Sequence, residues 1–236
     1  MFARFRQRSA ELENLDKGSY TAAEYEGCLV ELRRVNRWLG DSGALRRSVL
    51  REVGRGRPEG FSLLDMGAGS GELLREAARW ARGRGRRARL VGLELNERAA
   101  RSILEESRGF AEVSAVRGDA RRLPFADGAF DYCLCSLFAH HFRDDELVGV
   151  LREMSRVARR RVYVIDLHRH PAAYYFYTTV GRLFLRNRLV REDGALSILR
   201  GFAPAELRRL AARAGLKRVK VERRFPYRLV LSGAKG

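Results

Sequence analysis

The sequence predicts a doubly wound α/β sheet, and three observations carry that expectation. From Gly60 onward, short apolar runs alternate with amphipathic stretches of helical period. A glycine-rich turn, GAGSG (Gly67–Gly71), joins the first such run to the helix behind it. Near its end the chain carries two strand-like runs, KRVKVERR and YRLVLSG, in a hairpin-like pair. Alternation of this kind implies a parallel sheet with both faces covered, because each crossover lays a helix on one face.

Residues 1–55 show no strand signal and read as a helical cap or lid. AEYEGCLVELRRVNRWLGDSG sets Leu29, Leu32, Val35 and Leu39 at helical spacing, with Gly40 as the stop. GALRRSVLREV, ending at Val53, continues the pattern. Residues 56–236 then form the main domain. Phe61–Met66 is the first strand and GELLREAARWA its helix; Arg89–Glu94 is the second, followed by NERAARSILEESRG. VSAVRG is a weaker third strand. Phe130–Phe138 is the fourth, with DDELVGVLREMSRVA behind it, and Arg161–Asp166 is the fifth. About residues 167–200, rich in Tyr and Phe, interrupt the alternation as a lid insertion. APAELRRLAARAG resumes it, with Pro204 in the first helical turn and Gly215 at the end.

At 236 residues the chain is long enough for one well-cored domain. No apolar run approaches the roughly 20 residues that span a bilayer, and MFARFRQRSAELEN lacks the apolar core of a signal peptide. Three cysteines, Cys28, Cys133 and Cys135, are too few and too odd in number for a disulfide framework. A cytoplasmic protein is expected. The net charge of +18 would suggest a nucleic-acid partner. Only Lys17, Lys217, Lys220 and Lys235 are lysines, however, so the charge is arginine and resembles the codon bias of a GC-rich genome. Ligands of open parallel sheets bind beyond the carboxyl ends of the strands. The Arg79–Arg89 and Arg159–Arg161 clusters precede strands two and five, at the opposite ends, so nucleic acid is disfavoured.

Gly67, Gly69 and Gly71 let the backbone approach a ligand and adopt positive φ. The following helix then offers free N–H groups to an anionic group. A dinucleotide fingerprint needs a glycine at position 72. That residue is Glu72, whose carboxylate would repel a pyrophosphate.

LLDMGAGSGEL, VGLE, RGDARRLPFADGAFD, HHF and LREMSRV, together spanning about residues 61–166, resemble the class I S-adenosylmethionine-dependent methyltransferases. The similarity is to the subgroup of ubiquinone/menaquinone-pathway and natural-product enzymes. It implies a Rossmann-like sheet of seven strands with the last antiparallel, S-adenosylmethionine as cofactor, S-adenosylhomocysteine as product, and no metal. The chain departs from the family at VARRRVYV, where Arg159, Arg160 and Arg161 replace a Pro-Gly-Gly turn before strand five. The resemblance implies that Glu94 accepts hydrogen bonds from the ribose hydroxyls, and that Asp119 accepts one from the adenine amine with Ala120 beside the ring. Leu95 would cover the adenine, or could equally be ordinary core. Asp65 with Gly67, Ala68, Gly69 and Gly71 would hold the methionine moiety, and Ser136 would lie along its tail.

Four histidines fall within about thirty residues, but their spacing fits no common metal-ligand pattern. His140 and His141 follow strand four, and Asp166 ends strand five. Related natural-product O-methyltransferases place a His and an Asp at these positions as a catalytic pair, which would turn His140 toward the methyl group with His141 beside it. The same histidines could equally be pocket wall. His168 and His170 read as exposed residues at the mouth of the lid, His168 being a substrate candidate. Tyr174, Tyr175, Phe176 and Tyr177 suit a flat acceptor; they could instead be lid core, or with Arg182 and Arg186 make transient contact with a membrane surface. The expected reaction is O-methylation of a phenolic or hydroxyl group on an aromatic, polyketide-like or quinol small molecule, by a monomer or homodimer. C-methylation of a quinone-pathway ring, RNA methylation and non-catalytic cofactor binding are the alternatives. Because a sulfonium is already a strong electrophile, the protein must supply geometry, water exclusion and removal of a proton.

Overall fold

The computed structural model describes residues 3–18, 20–21, 24, 27–28, 31, 41–56 and 59–236. Seven strands form one sheet: β1 (Gly60–Met66), β2 (Arg87–Glu94), β3 (Val113–Arg117), β4 (Phe130–Ser136), β5 (Ala158–Leu167), β6 (Lys217–Arg224) and β7 (Arg228–Ala234). Their order is β3-β2-β1-β4-β5-β7-β6. β1 to β5 are mutually parallel, and β7 enters antiparallel between β5 and β6. The expected sheet and its reversed last strand are therefore present.

Residue alternation along each strand decides which helix covers which face. Leu64, Cys133, Cys135, Val162 and Val164 point to the face covered by α6 (Asp144–Val157) and α10 (Pro204–Arg213). Their neighbours Leu63, Tyr132, Leu134, Tyr163 and Ile165 point to the other face. There the cover is α4 (Glu72–Arg82), α5 (Glu97–Glu106) and a helical run before β1. That run comprises α2 (Asp41–Leu45), a π-helical turn (Arg46–Leu50) and α3 (Arg51–Gly56). α4 fits because Leu73, Leu74, Ala77, Ala78 and Ala81 share one buried stripe. Both strand cysteines are buried in the first core, as their alternate spacing predicts.

Beyond β5 the chain forms α7 (Pro171–Thr179), α8 (Gly181–Phe184) and α9 (Arg188–Arg200). A small apolar core of Cys28, Leu185, Leu189 and Val190 ties these helices to the N-terminal segment, which includes α1 (Asn14–Lys17). The helix expected over Leu29, Leu32, Val35, Leu39 and Gly40 lies outside the described residues. Among the described residues no helix is long and apolar enough to cross a membrane.

One expectation is corrected. β5 begins at Ala158, directly after α6, so Arg159 and Arg160 belong to the strand together with Arg161 and form no turn before it. Asp131 accounts for their placement: its carboxylate faces Arg159 and Arg160 at 3.4 Å each, while Arg161 pairs with Glu52.

The N-terminal arm is fastened by three buried or mostly buried arginines. Arg8 donates to the carbonyls of Arg200 (2.8 Å), His140 (3.1 Å) and Phe142 (2.9 Å), and pairs with Asp144 at 2.8 Å. Arg200 donates to the carbonyls of His140 (3.1 Å), His141 (2.7 Å) and Glu11 (2.8 Å). Arg169 reaches the carbonyls of Phe5 (3.0 Å) and Gly201 (2.7 Å), and the Glu206 carboxylate at 2.6 Å. Leaving buried carbonyls unpaired costs about 1–3 kcal/mol each. Arg200→Met should therefore lower stability by roughly 2–4 kcal/mol and expose the arm to protease. Urea unfolding and limited proteolysis would read both, and an unchanged midpoint would mean that water satisfies those carbonyls.

Candidate active site

The parallel strands bring Asp65, Glu94, Ser136 and Asp166 to one edge of the sheet, each at or next to its strand's carboxyl end. Between β1 and α4 the loop takes positive φ at Gly67 (68°), Gly69 (57°) and Gly71 (77°), a conformation that side chains resist. A Cβ on Gly67 would run into the Phe138 ring, so that glycine is also required by packing. Asp65 is 2% exposed, and its Oδ1 has no hydrogen-bond partner among the described residues. Burial, with Glu94 nearby, pushes its carboxyl up to about 8. The Ser136 hydroxyl is likewise buried and unpartnered.

Glu94 reaches back to the loop and accepts the Gly69 N–H at 2.5 Å. Burial raises its pKa, against the pull of that bond and of the Leu95 N–H. Asp119 accepts the Arg121 backbone N–H at 2.8 Å and pairs with its guanidinium at 3.1 Å, contacts that hold its carboxyl below the usual range. A cleft of about 240 Å³ joins Gly67, Glu94, Leu95, Asp119, Ala120 and His141 along its wall. Leu95 is 61% exposed beside it, whereas Ala120 is buried. Of the residues expected on the cofactor side, Gly67, Glu94, Leu95, Asp119 and Ala120 line this cleft.

The histidine loop is built on Asp166, which is fully buried. Asp166 Oδ1 lies 2.7 Å from His140 Nδ1 and accepts the Leu167 N–H at 2.7 Å; Oδ2 accepts the His140 N–H at 3.1 Å. Burial alone would raise this carboxyl, but the His140 imidazole and these donors hold it below the ordinary value. His140 Nε2 faces Glu13 Oε1 at 3.8 Å, and the His140 ring is 4% exposed. His141 lies beside it, ring centroids 4.4 Å apart, and lines the cleft. Of the two, His140 is the buried one and His141 the one on the cleft wall. Arg8 and Arg200 grip their carbonyls and turn the His140 ring inward.

Tyr174 and Tyr175 pack edge-on against Phe5, with centroids at 5.7 and 6.1 Å. The Tyr177 hydroxyl donates to the Val190 carbonyl, and its ring packs against the small core of Cys28, Leu185, Leu189 and Val190. His168 is corrected. It is 9% exposed, its backbone N–H donates to Tyr227, and burial lowers its pKa to about 4. His170 caps α7 by accepting the Ala172 N–H and stacks on Tyr227. Glu13, Arg8 and Arg200 were missed, because no local pattern marks a residue that acts through partners far along the chain.

The arginine cluster before β2 is largely engaged. Arg82 pairs with Glu112, Arg79 and Arg46 with Glu76, and Arg84 and Arg86 lie over Trp80. A trough of about 910 Å³ between α2–α3 and α4 is lined by several of these residues, on the flank of the sheet.

The strand order and the antiparallel β7 are those of the Rossmann-like fold of class I methyltransferases. Residues 63–161 match the family model described as a methyltransferase domain. Demethylmenaquinone methyltransferases are among the chain's relatives. That of Roseiflexus sp. (strain RS-1) is 34% identical over 121 residues, covering 48% of each chain. That of Staphylococcus aureus (strain Newman) is 27% identical over 188 residues, covering 75% of each. The one from Bacillus licheniformis is 24% identical, covering 55% of this chain and 53% of its own, so the chain spans only about half of some relatives. Among solved structures, a SAM-dependent methyltransferase from Aquifex aeolicus aligns with TM-score 0.59 at 19% identity, covering 81% of this chain and 89% of that one. Magnesium protoporphyrin IX methyltransferase from Synechocystis PCC 6803, with bound SAH, aligns with TM-score 0.59 at 18% identity over 84% of each.

Asp65 gives a pH prediction for the protein without ligand. Its folded pKa of about 8 lies above the ordinary 3.8, so across that window the folded state holds a proton that the unfolded state lacks. Stability from this group is present at low pH and falls as pH rises through about 8. Asp65→Asn should flatten the decline in unfolding free energy between pH 5 and pH 8, measured by urea titration. An identical slope in the two proteins would contradict the assignment.

Proposed function

We propose that this chain transfers a methyl group from S-adenosylmethionine to a hydroxyl of a small aromatic, polyketide-like or quinol acceptor, with His140 as general base and Asp166 as its orienting partner. Residues 56–236 would be the catalytic unit, residues 1–55 its cap and about 167–200 its lid. The observation that carries the reading is the 2.7 Å contact between His140 Nδ1 and Asp166 at the adjoining carboxyl ends of β4 and β5, next to the glycine loop.

The residues present fit the cofactor. Asp65 Oδ1 and Ser136 Oγ are buried acceptors lacking partners among the described residues, suited to the amino-acid end of the ligand. The loop of Gly67, Ala68, Gly69 and Gly71 gives close backbone approach. Glu94 would take the ribose hydroxyls, and Asp119, Ala120 and Leu95 the adenine. When bound, the cofactor supplies an electrophilic methyl sulfonium. The protein's part is then positional and electrostatic. Asp166 fixes the proton on His140 Nδ1 and stabilises the imidazolium, leaving Nε2 to take the acceptor's proton. For that, the acceptor hydroxyl must enter between Nε2 and Glu13. Tyr174, Tyr175 and Phe5 would shape the acceptor's end of the site. The relatives' name, demethylmenaquinone methyltransferase, favours a second reading in which the same base activates a quinol ring for C-methylation. Product NMR, which separates O-methyl from C-methyl, decides between the two.

S-adenosylhomocysteine should raise the melting temperature, whereas NAD and NADP should not, because only a ligand of the native state stabilises it. A shift with NAD alone would defeat the reading. His140→Ala should lower turnover by about 10²–10⁴ with S-adenosylhomocysteine binding retained, and Asp166→Asn by a similar or smaller factor. Near-full turnover in His140→Ala would make the histidines pocket wall.

A further inference from the structure

The N-terminal arm places a carboxylate, for which methyl transfer has no use, on the histidine pair. We propose that Glu13, His140 and His141 form a binding site for a divalent transition-metal ion of the zinc class, one that fastens the arm over the histidine loop. The proposal rests on the geometry of the arm and stands apart from the methyl-transfer reading. One donor atom from each residue lies within 4.8 Å of the others. Glu13 and His140 are each 4% exposed, and His141 is half-buried.

Three features distinguish this cluster from a chance surface group. First, the outer contacts are those of a metal site. A ligating histidine ordinarily gives its other ring N–H to a carboxylate, and His140 Nδ1 lies 2.7 Å from Asp166, which directs Nε2 to the cluster. Ser197 in turn donates to Glu13 Oε1 at 2.7 Å and holds that carboxylate in place. Second, the local charges suit a cation. Two buried carboxylates, Glu13 and Asp166, flank the His140 imidazole. Arg8 and Arg200 lie near and donate to main-chain carbonyls of the loop, Arg8 also to Asp144. Third, two imidazoles and one carboxylate are the donors that zinc, cobalt and manganese accept, with a fourth position left for water.

Zinc holds nitrogen and oxygen ligands at about 2.0–2.2 Å, so donors of a tetrahedral ion lie roughly 3.3–3.5 Å apart. The cluster must therefore contract on binding, chiefly by rotation of His141. An ion so bound occupies Nε2 and joins the arm to the loop. The same nitrogen cannot then accept a proton, so the ion would also hold the site closed to acceptors.

The test uses the full chain, stripped with a chelator and titrated with Co2+ and Zn2+. One equivalent should bind, with visible Co2+ bands of a low-coordinate site, a raised melting temperature and slower proteolysis of the arm. Glu13→Gln and His141→Ala should each weaken binding by about 100-fold or more, and Asp166→Asn by about 10–100-fold. His170→Ala, which alters the other histidine pair, should bind as the parent does. The S-adenosylhomocysteine shift, kept in each variant, reports that the variant is folded. Metal binding without that shift in the parent would defeat methyl transfer and leave this site standing. Absence of saturable binding in the parent, full affinity in Glu13→Gln, or loss in folded His170→Ala would each overturn the site.

Discussion

The hydrogen-bonded contact between Asp166 and His140 is the point on which the rest of the site hangs. A carboxylate with no exposure must be paired or strongly solvated by donors. Asp166 is served by the His140 ring, the His140 backbone and the Leu167 backbone. That demand pins the loop after β4 against the end of β5. It also leaves the carbonyls of His140, His141 and Phe142 facing outward, where Arg8 and Arg200 collect them. Those two arginines in turn bring the N-terminal arm and α9 onto the loop. One buried carboxylate thus accounts for the floor of the site and, through the backbone it orients, for the roof.

The floor was legible in the sequence and the roof was not, for a physical reason. Leu63 and Leu64, or Tyr132 and Cys133, announce a strand covered on both sides through adjacent apolar residues, and Gly67, Gly69 and Gly71 announce a turn that only glycine takes easily. These are local requirements, written within a few residues. Glu13 and Arg8 answer to partners more than a hundred residues away, and nothing beside them in RQRSAELEN distinguishes them from surface charges. The aromatic run Tyr174–Tyr177 shows the complementary difficulty. An aromatic residue that packs a lid core and one that packs a ligand are the same residue in sequence, and only the Val190 carbonyl above Tyr177 separates them.

Arginine content has a similar double meaning. Arg8, Arg169, Arg200 and Arg228 are largely withdrawn from solvent and bind carbonyls or carboxylates inside the protein; Arg228, for instance, pairs with buried Asp41 at 2.7 Å. Their planar, permanently charged forks serve several acceptors at once, a task for which lysine is poorly shaped. Many others, such as Arg87 with Glu59, form exposed pairs of little energetic consequence. A high arginine count therefore mixes a few structural clasps with a majority that a biased genome would supply in any case.

The arm's long reach has a consequence for how the protein comes into being. During synthesis the segment around Arg8 leaves the ribosome well before Asp144 and Arg200, the groups that will receive it. Contacts of such sequence separation form late, since a long loop must close before they are made. A nascent chain that has completed β1 to β5 can own a sheet and a glycine loop while its first residues still wander. Assembly of the site is therefore a closing act, and a chain halted before α9 would carry the scaffold of the site without its roof.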